Sequence, residues 1–293
     1  MGKIFPAHPS ALLFIALAGC HHTNTDGTII STDDGGTQVA GFTGGSSGGG
    51  PGSGGSSGAG NGSGSGTGGF AFNVPDGGPA PVNSDAAANC GLLMATLRDF
   101  KDDHPDMEKT IQTVRGLVKP DLGADDKPVY APGGPTAVTA GAASFDQWYR
   151  DVPGVNMRVQ ITLPLTRTGG GNFMFNDSNF FPLDGQGFGN QGRNHNFHFT
   201  TEIHASFKYR GGERFTFTGD DDVFIFVNKK LALDLGGVHQ PESATIDFDA
   251  QAGALGISRG NVYSFDAFHA ERHTTMSNFR METSIECLES VIK

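Results

Sequence analysis

The run of residues 215–235 constrains this chain more than any other. Phe215 and Phe217 alternate with threonines, the period of a strand with one buried face. Gly219 then introduces three consecutive aspartates, Asp220, Asp221 and Asp222, and an unbroken apolar run from Val223 to Val227 follows. Asn228-Lys229 marks a hairpin turn without the glycine usual at its second position, and Leu231, Leu233 and Leu235 alternate beyond it. Apolar strands therefore flank a loop of three adjacent carboxylates. Such a loop needs either full solvation or a cation between its oxygens, because adjacent like charges repel.

Composition narrows the partners. The net charge is −11, and the 20 lysines and arginines are scattered, so no basic stripe exists to displace the counterions of a nucleic acid. Of the 293 residues, about 200 have the patterning to fold, because 44–69 is almost entirely glycine and serine. A segment of that kind cannot bury enough apolar surface to offset its ordering entropy, so 20–89 is expected to be a disordered tether. Its root-mean-square span would be roughly 45 Å.

Three cysteines is an odd number. Lys3, the short apolar segment 11–17 and Leu17-Ala18-Gly19-Cys20 resemble a bacterial lipoprotein signal. That resemblance implies a signal peptide over 1–19, cleavage before Cys20, diacylglycerol on its sulfur and a lipid anchor in a membrane. His21 stands where an aspartate would favour inner-membrane retention, so the expected address is the outer membrane or cell surface of a bacterium. Cys90 and Cys287 bracket the foldable part and are expected to form a disulfide tying the first strand to the last.

Within 90–288 the pattern is β-like. Leu93, Ala95 and Leu97 alternate with polar residues, as do Val159, Ile161 and Leu163. Strand patterns recur at Phe173-Phe175, Phe197-Phe199, Ile203-Tyr209, Thr245-Phe248 and Val262-His269. His104-Pro105-Asp106 reads as the start of a short helix reaching Val114, and Phe145–Tyr149 as a second short helix or turn. Short strands joined by glycine-rich turns predict an all-β fold with minor helix, a β-sandwich, in which 23 phenylalanines supply a large core.

His269, Glu271 and His273 would share one face of an extended strand, a donor set suited to a transition metal or to a polar pocket wall. His239 follows the central hairpin and adds a polar group. Gly187-Phe188-Gly189-Asn190-Gln191-Gly192 has the letters of a dinucleotide fingerprint, but a strand follows where a helix should open, so it reads as a glycine-rich loop.

Several ordered motifs resemble the bacterial fibro-slime domain. They are Phe180-Phe181-Pro182-Leu183-Asp184-Gly185, Asn196-Phe197-His198-Phe199-Thr200, Tyr209-Arg210-Gly211-Gly212 and Gly219-Asp220-Asp221-Asp222-Val223. Asp234-Leu235-Gly236-Gly237-Val238-His239 and Phe268-His269-Ala270-Glu271-Arg272-His273 continue the series. That family is similar to the protective-antigen-type, jelly-roll-like β-sandwiches, which include sugar-binding modules of glycosidases and yeast flocculation adhesins. In those adhesins two consecutive aspartates joined by a cis peptide chelate Ca²⁺, which also coordinates sugar hydroxyls. The resemblance implies that Asp220 and Asp221 are the primary ligands. Glu271 falls at a further ligand position, where the adhesins carry asparagine.

The expectation is thus a surface-anchored lipoprotein whose sandwich binds carbohydrate or extracellular polysaccharide through Ca²⁺. Asp222 and Asn228 are lesser candidates as metal or ligand contacts, and His239, His269, Arg272 and His273 would shape the sugar pocket. Two alternatives stand beside it: a structural slime or matrix protein without glycan selectivity, and a hydrolase using His269, Glu271 and His273 around a metal. No catalytic pair of carboxylates in a cleft is evident, so the non-enzymatic reading leads.

Overall fold

The computed structural model describes residues 90–293. The expected signal segment 1–19, the lipidation candidate Cys20 and the tether 20–89 lie outside the described residues. The chain opens with β1 (Leu92–Phe100), β2 (Gln112–Thr113), α1 (Ala142–Phe145), β3 (Asn156–Pro164) and β4 (Thr166–Arg167). It continues through β5 (Phe173–Asp177), β6 (Phe199–Lys208), β7 (Arg214–Gly219), β8 (Asp222–Val227) and β9 (Lys230–Leu235). Then come β10 (Gly237–Val238), β11 (Glu242–Asp247), α2 (Phe248–Leu255), β12 (Val262–Glu271), β13 (Phe279–Thr283) and β14 (Glu289–Ser290).

These strands form two antiparallel sheets and a small ribbon. The larger sheet runs β3-β1-β6-β12-β8-β9, with β14 also paired to β6, and the smaller runs β11-β7-β13-β5-β4. The ribbon pairs β10 with β2. Alternation along the strands places Ile203, Ala205, Phe207, Val223, Ile225, Phe265, Phe215, Phe217, Phe279 and Met281 in one core between the sheets. This is the all-β sandwich expected from the sequence.

The apolar run 223–227 has no polar alternation because β8 is buried on both faces. Val223, Ile225 and Val227 enter the core between the sheets, whereas Phe224 and Phe226 point the other way. There they join Phe268 and Ala270 beneath a third, loop-rich layer that supplies Leu117, Val118, Tyr130, Phe145, Trp148 and Tyr149. The hairpin turn at Asn228 and Lys229 has positive φ at both residues (51° and 63°), as the favoured two-residue hairpin requires. A register shift then pairs Phe226 with Leu231 but Ile225 with Leu233, so Leu231 packs on the outer cluster while Leu233 and Leu235 stay in the inner one.

Two local expectations do not hold, and one helix was not expected. No helix opens at His104-Pro105-Asp106, where the chain makes turns. The Asp106 carboxylate is used instead to accept from the Ala140 amide (2.6 Å) and the Trp148 indole (2.9 Å), which fixes the loop layer. The strand expected at Phe197-Phe199 contributes only Phe199, which starts the ten-residue β6 that continues through the strand expected from Ile203. Helix α2 was not legible as apolar periodicity, although its caps were present: Asp247 accepts from the Ala250 amide (3.1 Å), and Gly256 closes the helix in the left-handed conformation.

Cys90 and Cys287 are disulfide-bonded. The bridge lies where β14 takes over from β1 along β6, since β1 pairs with Phe199–Ile203 and β14 with Ala205 and Ser206. Among the described residues no helix is long and apolar enough to cross a membrane.

The outer face of the large sheet carries a buried polar network. His204 lies between Asp266 (2.6 Å to Nδ1) and Glu202 (2.5 Å to Nε2), and Glu202 also pairs with Arg98 and Lys127. Burial alone would lower the His204 pKa, but the hydrogen bonds to Asp266 and Glu202 outweigh it and hold the ring above 6.5. A base whose pKa is raised by folding stabilises the fold fully below its unfolded pKa and loses that contribution as pH rises through the folded value. Urea titrations at successive pH values should therefore show a stability loss above pH 6.5 in the wild type that His204→Gln lacks.

Candidate functional site: an acidic cavity at one end of the sandwich

Three connections converge at the end of the sandwich where β7 stops, β8 begins and β12 ends: the Asp220-Asp221 link, the segment after β9, and residues 272–278. Gly219 permits the first, because a β-carbon there would stand 2.1 Å from the Asn278 carbonyl oxygen. Gly237 permits the second, with φ at 113° and the Gln112 carbonyl 2.4 Å from any added β-carbon. The Asp220–Asp221 peptide is cis.

Backbone amides aim the carboxylates. Asp220 accepts from the Asn278 amide (2.6 Å) and the Asn278 side chain (3.0 Å). Asp221 accepts from the amides of His239 (3.0 Å) and Arg272 (3.1 Å). Both aspartates line a small cavity together with His239, His273, Thr274 and Thr275. Its free volume, about 20 Å³, suits one water-sized or ion-sized body.

Behind this cavity carboxyl groups crowd together without enough partners. Glu271 is fully buried, and neither carboxylate oxygen has a hydrogen-bond partner. Burial pushes its pKa well up, and the nearby Asp221 and Asp220 charges push it further. The Ser277 hydroxyl and His273 amide draw it down without reaching ordinary hydrogen-bond geometry. Asp221 is pushed up to about 8 by burial; Arg272 opposes that shift and Asp222 adds to it. Burial also raises Asp220, against the hydrogen bonds from Asn278. Among the described residues, no three His, Cys, Asp or Glu side chains form a ready-made metal shell.

The single buried cation here is Arg272, and it is committed elsewhere. Its Nε and Nη2 both reach Asp222 Oδ2 (2.7 and 2.6 Å), and neither side chain is exposed. Nη1 donates to the carbonyls of Asp106 (2.9 Å) and Val138 (2.7 Å), and the guanidinium lies 4.5 Å from the Trp148 ring centre.

The structure redistributes the residues singled out in the sequence. Asp220, Asp221, His239 and His273 line the cavity, with Glu271 buried behind. Asp222 does not open onto it: the Gly237 amide (2.6 Å) and Arg272 take both its oxygens. Arg272 does not shape a sugar pocket, because it projects from the opposite face of its strand into the loop layer. Asn228 lies at the far end of β8 in the hairpin turn, donating to the Leu255 carbonyl (2.9 Å). His269 also faces inward, among Phe180, Phe199, Phe217 and Phe279, and its Nε2 lies 2.8 Å from the Asp220 carbonyl. Burial lowers its pKa to about 4.

The expected His269-Glu271-His273 face does not form, because β12 ends at Glu271 and His273 turns to the cavity. Sequence reading missed Asn278, which fixes Asp220, and the rim residues Ile111, Thr274, Thr275 and Met276. Met276, an exposed apolar residue in a polar loop, was the available signal.

No family model matches the chain. Protein psiD of Dictyostelium discoideum is 39% identical over 213 residues, which cover 66% of this chain and 41% of that protein. Protein psiQ of the same organism is 41% identical over 187 residues (59% and 18%), and protein psiJ 39% over 225 (67% and 31%). The chain thus spans less than half the length of these relatives. Among solved structures, a PA14 sugar-binding domain from an RTX adhesin matches with TM-score 0.30 and 8% identity, over 69% of this chain and 95% of that one. The PA14 domain of the MpAFP antifreeze protein matches with TM-score 0.31 and 9% identity, over 73% and 88%. Scores this low carry no conclusion about a ligand.

The relatives overturn two expectations. Assignment to a bacterial fibro-slime family does not hold, since no family model matches and these relatives are eukaryotic. Motifs such as Gly219-Asp220-Asp221 and Gly236-Gly237 answer to close backbone approach, a demand of the loops and not a mark of origin. The bacterial outer-membrane address falls with it, because the similar proteins come from Dictyostelium.

Removing one partner of a buried ion pair leaves an uncompensated charge, whereas replacing both with apolar groups is often tolerated. Arg272→Met should destabilise the fold by about 3–5 kcal/mol in urea denaturation, and Arg272→Met with Asp222→Leu should recover much of that loss.

Proposed function

We propose that this domain binds carbohydrate through a Ca²⁺ ion held at Asp220 and Asp221, and that it serves attachment to polysaccharide. The observation that carries this reading is the surplus of carboxylate around a one-ion cavity. Asp220, Asp221 and the unpartnered Glu271 crowd together, while the nearest cation is committed to Asp222. The donor chemistry fits a hard cation, since Asp220 and Asp221 present carboxylate oxygens to the cavity. Asp220 and Asp221 would hold the ion, with the buried Glu271 carboxyl group behind them.

Two carboxylates leave the coordination shell incomplete, which suits an ion shared with a ligand. When bound, Ca²⁺ would supply open positions that vicinal sugar hydroxyls fill in place of water. The chain's own residues would do the rest: the Asn278, His239 and Arg272 amides fix the carboxylates, and Thr274, Thr275 and His273 offer polar groups at the mouth.

Thermal melts with Ca²⁺ and with chelator test the reading. A ligand at a hundred times its Kd stabilises a fold by about 2.7 kcal/mol, so Ca²⁺ should raise the wild-type Tm by roughly 5–10 °C. Asp221→Asn should abolish most of that rise, and saccharide should add a further rise only with Ca²⁺ present. An unchanged wild-type melt would defeat the cation reading. A calcium response that no saccharide extends would favour the structural matrix alternative.

A further inference from the structure

The large apolar side chains that remain exposed among the described residues are Leu92, Ile111, Val262, Met276, Val291 and Ile292. Two of them, Ile111 (60% exposed) and Met276 (41%), line the acidic cavity beside Asp220 and Asp221. They come from distant parts of the chain. Ile111 precedes β2, which the Gly237 contact brings against β10, and Met276 lies on the connection from β12 to β13. Neither belongs to either apolar core. The fold does not use them, and water gains nothing from apolar groups at the mouth of a charged cavity.

The rest of the lining sharpens the point. It comprises Asp220, Asp221, Val238, His239, Gln240, His273, Thr274 and Thr275, with no Phe, Tyr or Trp. A flat pyranose face therefore has no phenyl or indole ring to stack upon. A branched and an unbranched aliphatic chain instead offer a compact surface on which a single methyl group can be buried. Methionine suits such a contact because its flexible, polarizable side chain adapts to shape.

We infer that Ile111 and Met276 select a methyl-bearing saccharide, packing its methyl group while the ion at Asp220 and Asp221 takes an adjacent diol. This rests on the cation reading above. The ligand chemistry is a vicinal diol with a methyl substituent nearby, supplied either by a 6-deoxyhexose or by an N-acetylhexosamine. The aliphatic pair would act on specificity and not on metal affinity, because neither side chain offers a hard oxygen donor.

The test pairs two readouts on the intact chain. Calorimetric titration in Ca²⁺ would compare fucose with galactose, rhamnose with mannose, and N-acetylglucosamine with glucose. Burying one methyl group should favour the methyl-bearing member of at least one pair by about 5-fold. Fucose or rhamnose leading would identify the deoxy sugar as the source, and N-acetylglucosamine leading would identify the acetamide.

In Ile111→Ser with Met276→Ser that preference should vanish, while the Ca²⁺-dependent rise in Tm persists. A calcium response without any methyl preference in the wild type would overturn this inference alone. So would a preference that survives the double substitution. A wild type with neither calcium response nor saccharide binding would overturn both readings.

Discussion

The contact on which this architecture depends is the buried pairing of Arg272 with Asp222. It joins three layers at one point. Asp222 opens β8, Arg272 follows the end of β12, and Nη1 of the guanidinium reaches carbonyls of the loop layer beside Trp148. A buried ion pair is weak evidence for net stability, but this one ties the start of β8 to the chain beyond β12. Its second consequence is electrostatic. With Arg272 committed to Asp222, Asp220, Asp221 and Glu271 have no cation of their own.

Strand periodicity explains how one short stretch serves both purposes. Residues alternate across the large sheet, so His269 and Glu271 face the sandwich core while Ala270 and Arg272 face the loop layer. Likewise Asp222 points outward with Phe224 and Phe226. The inward side of this end of the sheet thus gathers carboxylate, and the outward side gathers the guanidinium. Asn278 and the amides of His239 and Arg272 hold the inward carboxylates at the cavity.

Much of this was legible in the chain because it follows from local rules. The alternation at Phe215 and Phe217, the apolar run 223–227 and the Asn228-Lys229 turn are each short-range features of strand and hairpin sequence. The Cys90–Cys287 bridge followed from their bracketing of the patterned region. What escaped depends on tertiary partners. Asp106 resembled a residue of a helix's first turn until Trp148 and the Ala140 amide claimed its carboxylate. Arg272 resembled a pocket residue until its face of the strand proved to be covered. The period-2 pattern of His269, Glu271 and His273 was real for two residues and ended with the strand.

The proposed calcium site puts a hard cation against the clustered carboxyl groups of Asp220 and Asp221, with Glu271 behind. Diffraction from crystals grown with Ca²⁺ tests it most directly. A bound calcium ion should give a fully occupied density peak in the cavity, with oxygens of both Asp220 and Asp221 at about 2.3–2.6 Å. A cavity holding only water in calcium-saturated crystals, with both aspartates bound to nothing beyond their backbone amides and Asn278, would contradict it.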